Sequence, residues 1–312
     1  MSVPSIIDVL NSQFGINGRL HFELGEGELP IARMTTDEAT AVLSIYAGHV
    51  LSFVPHGSED LLWVSQEAVY QSGKAIRGGI PVIWPWFGPH PTDSTKSSHG
   101  FARRQMWSVK ASILDESGQV SLTLGLTENE STKAVWSHDF DLELSVTVGH
   151  VLTVQLKTTN SDDVPFAYTA ALHTYYNISH ISNVVISGLE NSAYLDNLDS
   201  LSQHQQTGFV RFEEEVDRIY IDTTAPCHIE DIGHKRTIVV EKSGSRSTVV
   251  WNPWIEKAQR MSDFGDSEYQ EMVCVETANA GNEIMTLEPG ETAVMTLTVH
   301  ENRHPDLQEE EH

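Results

Sequence analysis

The sequence predicts an all-β protein, a large antiparallel β-sandwich with few short helices. Apolar residues alternate with polar ones over residues 120–126, 142–148 and 152–156, and a period of two is typical of a half-buried strand. Strands and helices do not alternate as a parallel sheet requires, and short turn signals separate the strands. These observations together favour two packed antiparallel sheets.

The elements begin with a short amino-terminal helix, because Ser5 and Asp8 have the spacing of a capping box. An apolar stripe of helical period follows there: Ile6, Ile7, Leu10 and Phe14. Alternating segments around short turns predict three hairpins, at 142–156, 237–251 and 283–299. A second short helix is expected near 262–270. No linker or repeat divides the chain, so we expect one domain over 1–312, with a core at about 20–300 and an acidic tail at 301–312.

Charge excludes two classes of partner. The chain has 44 acidic and 19 basic residues, a net charge of −25, whereas nucleic-acid binding and attraction to anionic membranes both need a basic surface. A small anionic ligand would need a local cluster of Arg or Lys. The two cysteines, Cys227 and Cys274, are too few for a disulfide framework, and with no signal-peptide pattern at the start we expect a cytoplasmic protein with reduced thiols.

An aromatic segment at 77–89 is the first candidate for ligand binding. It contains the glycine pair 78–79, three prolines and three aromatic residues. We expect Trp84, Trp86 and Phe87 to expose ring faces of the kind that stack on sugars. The alternative is a packed loop that closes one end of the sandwich.

Two arginines lie beside glycine-rich backbone. Arg77 opens the aromatic segment, and Arg103 lies in a second segment at 98–107. The planar guanidinium fork matches the oxygens of a phosphate group. The alternative for each arginine is an ordinary ion pair in a very acidic protein.

Two predicted strands place a titratable group among small side chains. His173 shares a strand face with Thr169 and Ala171, and Glu276 lies within an apolar strand. A buried Glu is unusual unless it is paired or functional, whereas a single His is more often structural. Asp217 is a weaker candidate, since solvated or ion-paired Asp is the common case. No metal-ligand spacing, dinucleotide or phosphate loop, or serine elbow is present, so no cofactor is expected.

Five segments in order resemble the D-hexose-6-phosphate mutarotases, also called glucose-6-phosphate 1-epimerases, within the galactose-mutarotase-like superfamily. They are RGGIPVIWPWFG (77–88), HGFARRQMW (99–107), ALHTYYNI (171–178), EVDRIY (215–220) and VCVETANA (273–280). The resemblance covers the chain from about Leu20 to Val299. It implies a large β-sandwich with a cleft on one sheet.

The resemblance also implies roles for individual residues. His173 and Glu276 match the catalytic pair of the family, Arg77 and Arg103 match the positions that hold the sugar phosphate, and Asp217 matches a substrate-contacting acid.

The resemblance implies less about the neighbouring residues Ser98 and His99. Ser98 stands where some relatives have a substrate-binding glutamine, and the shorter side chain would reach the substrate through water or not at all. His99 lies next to the expected phosphate position and has no assigned role.

The implied function is interconversion of the α and β anomers of a hexose 6-phosphate by a monomeric enzyme without a cofactor. An ionised Glu276 would take a proton from O1, and a His173 kept protonated by acidic neighbours would give one to O5. Two alternatives stay open: an aldose 1-epimerase acting on a nonphosphorylated sugar, and a noncatalytic sugar-phosphate-binding module. A glycoside hydrolase is disfavoured, because it would need two carboxylates.

Overall fold

The computed structural model describes residues 4–304, in which strands dominate. The helices are α1 (Ile6–Phe14), α2 (Glu130–Lys133) and α3 (Trp254–Ala258). Short 3-10 turns lie at Glu26–Glu28, Ala102–Arg104, Ile181–Asn183, Asn197–Asp199 and Glu268–Gln270. No helix in residues 4–304 is long and apolar enough to cross a membrane.

The strands of the first half of the chain are short near the amino terminus and longer from residue 108 onwards. They are β1 (Leu20–Leu24), β2 (Pro30–Thr35), β3 (Ala39–Ser44), β4 (His49–Pro55), β5 (Val82–Ile83), β6 (Ser108–Leu114), β7 (Val120–Thr127), β8 (Phe140–Val148), β9 (Leu152–Asn160), β10 (Phe166–Tyr168) and β11 (Ala170–Leu172). Those of the second half are β12 (Tyr175–Asn177), β13 (Val184–Ser187), β14 (Ala193–Asp196), β15 (Ser202–Gln205), β16 (Val216–Tyr220), β17 (Cys227–Asp231), β18 (Arg236–Ser243), β19 (Ser247–Asn252), β20 (Met272–Asn279), β21 (Met285–Leu287) and β22 (Thr292–Arg303).

Two eight-stranded antiparallel sheets form the body of the molecule. The front sheet has the order β15-β14-β16-β19-β20-β11-β5, with β12 also paired to β20. The back sheet has the order β13-β17-β18-β22-β9-β8-β7-β6. A four-stranded sheet, β1 to β4, and the pair β10–β21 complete the structure. The predicted antiparallel β-sandwich is confirmed.

The main core lies between the front and back sheets, because side chains of both belong to one buried apolar cluster. The back sheet contributes residues such as Leu144 and Leu297, and the front sheet contributes Val250 and Val275. Burial of each such side chain contributes about 1.5–3 kcal/mol. Alternation then turns the intervening residues of the front sheet, Glu276 among them, to its outer face.

The local predictions for the amino terminus and the first hairpin are confirmed. Ser5 Oγ accepts a hydrogen bond from the Asp8 backbone N–H (3.2 Å), and the Asp8 carboxylate accepts one from the Ser5 N–H (3.0 Å), which completes the capping box of α1. Strands β8 and β9 pair directly across the turn at 149–151.

The other two predicted hairpins are wrong. Strand β18 pairs with β17 and β22 in the back sheet, whereas β19 pairs with β16 and β20 in the front sheet. Strand β21 likewise pairs with β10, while β22 pairs with β9 and β18. In both places the turn carries the chain to another sheet. The turn after β21 is held by Asn160, whose side chain donates to the Leu287 carbonyl (2.8 Å).

The segments around two predicted boundaries also differ from expectation. Near 262–270 only the 3-10 turn Glu268–Gln270 forms, and the helix lies earlier, at Trp254–Ala258. The last strand continues through Arg303 and so includes the start of the expected acidic tail. Residues 305–312 of that tail lie outside the described residues.

The rings of the aromatic segment are mostly part of the core. Trp84 is fully buried and Trp86 is 5% exposed, so the expectation that these two rings face a ligand is wrong. Trp84 packs edge-on against Phe101 and Trp136, with ring centroids 5.5 and 4.9 Å apart. The segment is therefore packed into the core, with β5 at the edge of the front sheet, and Phe87 alone of its three aromatic residues lines a cavity on the outer face of that sheet.

Replacing Trp84 by Ala is expected to destabilise the fold by about 3–5 kcal/mol, since it removes a fully buried ring from several aromatic contacts. Denaturant unfolding measures the change. Ile113, 58% exposed, provides the control, because its replacement by Ala removes little buried surface. Similar stability of the two variants would contradict the burial of Trp84 in the core.

Candidate active site

A cavity of about 680 Å³ lies on the outer face of the front sheet. Its size is within the usual range for small-molecule sites. All seven residues predicted from the sequence line it: Arg77, Ser98, His99, Arg103, His173, Asp217 and Glu276. The chain brings them together from segments that are far apart in sequence.

The register of the front sheet places His173 across from Glu276. Strand β11 pairs Leu172 with Thr277, and β12 pairs Tyr175 with Cys274, in one continuous antiparallel register. The ladder is interrupted between these two pairs, where the His173 backbone N–H donates to the Pro81 carbonyl instead (3.0 Å).

The imidazole of His173 is held by contacts on several sides. Its Nε2 lies 3.3 Å from Oε1 of Glu276. The Tyr175 ring stacks on it, with centroids 4.7 Å apart and planes 8° apart, and Trp251 packs edge-on at 6.1 Å. Nδ1 is buried and has no hydrogen-bond partner. The ring is thus fixed in orientation while one nitrogen is left unsatisfied.

Glu276 is a buried carboxyl group that lacks the full set of hydrogen bonds that usually offsets burial. It is 1% exposed, and Oε2 has no hydrogen-bond partner. Burial, followed by the charge of Asp217, raises the pKa of Glu276 well above its ordinary value. A buried polar atom without a hydrogen-bond partner lowers the stability of the fold, so its presence calls for a functional explanation.

The charge expected for His173 is not the one the structure favours. Burial first, then His99, Arg103 and Arg77, holds the pKa of His173 well below 6.5, although the carboxyl of Glu276 lies 3.3 Å away. A neutral imidazole beside a protonated carboxyl has the same number of protons as an imidazolium beside a carboxylate, and the two arrangements differ only in which group holds the mobile proton. The pair therefore holds one transferable proton in either arrangement.

Arg103 is a cation without a carboxylate partner among the described residues. It lies in the 3-10 turn Ala102–Arg104, and its Nη2 donates to the Ser98 carbonyl (3.1 Å). Its Nε is buried and has no acceptor. Burial lowers the pKa of Arg103 to about 10, so the group stays charged at neutral pH and is available to an anion.

Arg77 is already ion-paired. Its Nε and Nη2 donate to the Asp263 carboxylate at 3.1–3.2 Å, and its Nη1 donates to the Tyr175 hydroxyl (3.0 Å). The ion-pair alternative from the sequence thus applies to Arg77 and not to Arg103. Through Tyr175, Arg77 also supports the ring that stacks on His173.

Ser98 and His99 shape the wall of the cavity beside Arg103. His99 has a left-handed backbone (φ 63°), its N–H donates to the Gly88 carbonyl (2.8 Å), and its ring lies edge-on to Phe87 at 5.0 Å. Burial, followed by Arg103, lowers the pKa of His99 to about 3, so the ring is neutral. The observed contribution of Ser98 is its carbonyl, which orients Arg103.

Asp217 lines the cavity within a polar network that sequence reasoning missed. Asn197 donates to its Oδ1 (2.6 Å), and Lys257 Nζ lies 3.5 Å from its Oδ2. Lys257 also pairs with Glu215 (2.7 Å). Asn197 begins the 3-10 turn Asn197–Asp199, which no sequence motif marks, and only the scarcity of basic residues could have drawn attention to Lys257.

Backbone packing, rather than contact with a ligand, accounts for the glycine pair. A side chain on Gly78 (φ 108°) would come within 2.5 Å of the backbone of Trp63 and Val64, and one on Gly79 (φ 61°) within 2.2 Å of the Val50 carbonyl. Within residues 4–304, no group of three or more His, Cys, Asp or Glu side chains is arranged to hold a metal ion.

A buried imidazole–carboxyl pair in a cavity that also presents an arginine without a carboxylate partner among the described residues is typical of an enzyme that moves protons on a small polar ligand. Comparison with known proteins defines the class further. The family model described as aldose 1-epimerase matches residues 30–300. The chain belongs to the aldose 1-epimerase family and is an isomerase.

Individual relatives agree with this assignment. A protein of Cenchrus ciliaris, provisionally named glucose-6-phosphate 1-epimerase, is 40% identical over 80% of this chain and 78% of its own length. One of Escherichia coli with the same provisional name is 36% identical over 81% and 84%. The crystal structure of a Salmonella typhimurium protein, provisionally called a mutarotase, superposes with a TM-score of 0.86 at 30% identity, covering 93% of this chain and 96% of that one.

Replacing Glu276 by Gln is expected to stabilise the fold by about 1 kcal/mol at neutral pH, because it removes a carboxyl that must stay protonated or be buried as an anion. The raised pKa means that the wild type loses stability as the pH rises through and above the ordinary value of 4.5. The gain should therefore shrink towards pH 4.5.

Denaturant unfolding at both pH values measures this effect. Exposed Glu271, next to β20, provides the matched control, and its replacement by Gln should change stability little. A loss of stability on replacing Glu276 at neutral pH would show that this carboxyl holds the sheet together.

Proposed function

We propose that this enzyme interconverts the α and β anomers of hexose 6-phosphates, as a glucose-6-phosphate 1-epimerase. The observation that carries the proposal is the unsatisfied His173–Glu276 pair, which shares its cavity with the unpaired Arg103. The pair supplies acid–base chemistry, and the arginine supplies affinity for an anionic group. The provisional names of the relatives agree with this substrate.

Anomer exchange requires ring opening and reclosure at C1. In opening, a base takes the proton of the O1 hydroxyl, the C1–O5 bond breaks as C1=O1 forms, and an acid gives a proton to O5. Rotation about C1–C2 and the reverse steps close the ring on the other face. The protons taken and given balance, so a pair that holds one proton suffices: Glu276 as the base and His173 as the acid.

Binding of an anionic substrate would set the charge of this pair. Arg103 and Arg77 contribute to keeping His173 neutral in the unliganded protein. A phosphate dianion beside them would offset their charge and raise the pKa of His173. Substrate binding would thereby favour the imidazolium that protonates O5 and the carboxylate that accepts the proton of O1.

Other cavity residues would bind the sugar ring. Asp217, oriented by Asn197 and Lys257, presents a carboxylate to ring hydroxyls. Trp251 and Phe87 line the same cavity and offer apolar surface to the C–H face of a pyranose.

We further propose that the enzyme acts as a monomer. We also propose that it acts in the cytoplasm, in keeping with its two buried, unpaired cysteines.

Each of the two alternative functions, a sugar-phosphate-binding module and an enzyme for neutral sugars, leaves one feature of the site unexplained. A noncatalytic sugar-phosphate-binding module has no use for a buried carboxyl with an unsatisfied oxygen, which costs stability. An enzyme for neutral sugars has no use for an unpaired arginine in the wall of the cavity. The hexose 6-phosphate proposal accounts for both features.

Glu276→Gln and His173→Asn are each expected to lower kcat by about 10²- to 10⁴-fold with little change in KM, because each removes a proton-transfer group and keeps the shape of the site. NMR exchange between the anomers of glucose 6-phosphate measures the rate. Glu271→Gln should keep wild-type activity. Near-normal rates in either site variant would remove that residue from the mechanism.

Arg103→Ala is expected to lower kcat/KM for glucose 6-phosphate by about 10- to 100-fold and to change the rate on free glucose much less, because only the phosphorylated sugar loses a charge-assisted contact. Arg103→Lys should recover part of the loss, since a point charge lacks the guanidinium fork. Comparison of kcat/KM on both sugars measures the selectivity.

Arg77→Ala provides an internal contrast in the same assay. It is expected to lower the rates on both sugars, because Arg77 also holds Tyr175 against the imidazole of His173. Equal proportional losses on the two sugars in Arg103→Ala would favour the neutral-aldose alternative.

A further inference from the structure

A second, smaller cavity of about 260 Å³ lies behind the arginines. Arg77 and Arg103 line both cavities, so these two side chains form the boundary between them. His173 and Glu276 line only the larger cavity, whereas Lys74 and Arg104 line only the smaller one. The acid–base pair and the additional cations are thus on opposite sides of one pair of arginines.

The smaller cavity has a charge opposite to that of the whole protein. Four of the 19 basic residues of a chain with net charge −25 line it, and the only acidic residue that lines it is Asp263. Asp263 is already neutralised by its contacts with Arg77. Four cations with a single carboxylate among them leave an excess of positive charge, so this arrangement favours an anion.

Two guanidinium groups present unsatisfied donors in this region. The Nε atoms of Arg103 and Arg104 are buried, and neither has an acceptor among the described residues. Both residues belong to the 3-10 turn Ala102–Arg104. Buried N–H groups of this kind are normally paired, and the oxygens of a phosphate group are their best-matched acceptors.

Part of the wall of the smaller cavity is held in place by two adjacent residues, Tyr46 and Ala47. The hydroxyl of Tyr46, a residue 1% exposed, donates to the Lys74 carbonyl. The backbone N–H of Ala47 donates to the Gln105 carbonyl (2.8 Å), next to Arg104. These two contacts hold the backbone at Lys74 and at the arginine turn, which lowers the ordering cost of binding at these positions.

We propose that the smaller cavity binds a phosphate group, and that Arg104 and Lys74 are specificity-determining residues for it together with Arg103. In the reaction proposed above, on which this assignment rests, the sugar ring would occupy the larger cavity against His173 and Glu276, and its 6-phosphate would pass between the arginines. The same chemistry would also accept free inorganic phosphate, which makes that ion a suitable probe.

The test measures inorganic phosphate as an inhibitor of glucose 6-phosphate turnover in wild type and in Arg104→Gln, Lys74→Gln and the double variant. Inhibition should be competitive. The inhibition constant of phosphate and KM for glucose 6-phosphate should rise together, by about tenfold in the double variant, while the rate on free glucose changes less. Arg211→Gln, at an exposed residue that lines neither cavity, should behave as wild type.

Unchanged phosphate inhibition and unchanged KM in the double variant would overturn the proposal. Arg104→Lys guards against a folding defect, because it keeps the charge and should recover part of the affinity. Calorimetric binding of inorganic phosphate needs no turnover, so its loss in the double variant supports the cavity even if the wild type interconverts neither sugar. Phosphate that binds without competing with glucose 6-phosphate would overturn the placement of the substrate's phosphate.

Discussion

The buried contact between His173 and Glu276 is the constraint on which the site depends. Each group is costly to bury in its charged form, and each has one atom without a partner. The sheet register brings the two residues together, because the pairs on both sides of the gap in the ladder place His173 opposite Glu276. The core on the other face of the front sheet, formed by residues such as Val275, stabilises a strand that the carboxyl alone would weaken.

The arginines give this pair its chemical context. Arg103 and Arg77 disfavour a charged His173 when the site is empty, and a bound phosphate would reverse that effect. Binding and catalysis would then depend on the same two side chains. Strong net negative charge is compatible with an anionic substrate because screening limits the global field to roughly 8 Å at physiological salt, and local cations act within that distance.

Local pattern predicted the fold class, and the family resemblance pointed to seven residues that line one cavity. Local pattern failed where strand pairing is nonlocal. Period two identified the strands around Glu276, and the capping box located α1. It could not show that β18 and β19 lie in different sheets, because a turn that joins two sheets has the same composition as a hairpin turn. Local pattern also could not show that Arg77 and Arg103 lie near His173 or that Asp263 pairs with Arg77, since these residues are more than 60 positions apart.

In the unliganded protein the His173–Glu276 pair holds one transferable proton, and the imidazole is neutral because burial first, then nearby groups that include Arg103, lowers the pKa of His173. Side-chain ¹⁵N NMR of histidine-labelled protein tests it most directly, with the His173 signal assigned by its absence in His173→Asn. We expect His173 to remain a neutral imidazole as the pH falls through 6.5, the ordinary pKa of histidine. A His173 that is already an imidazolium at neutral pH, with no phosphate present, would contradict it.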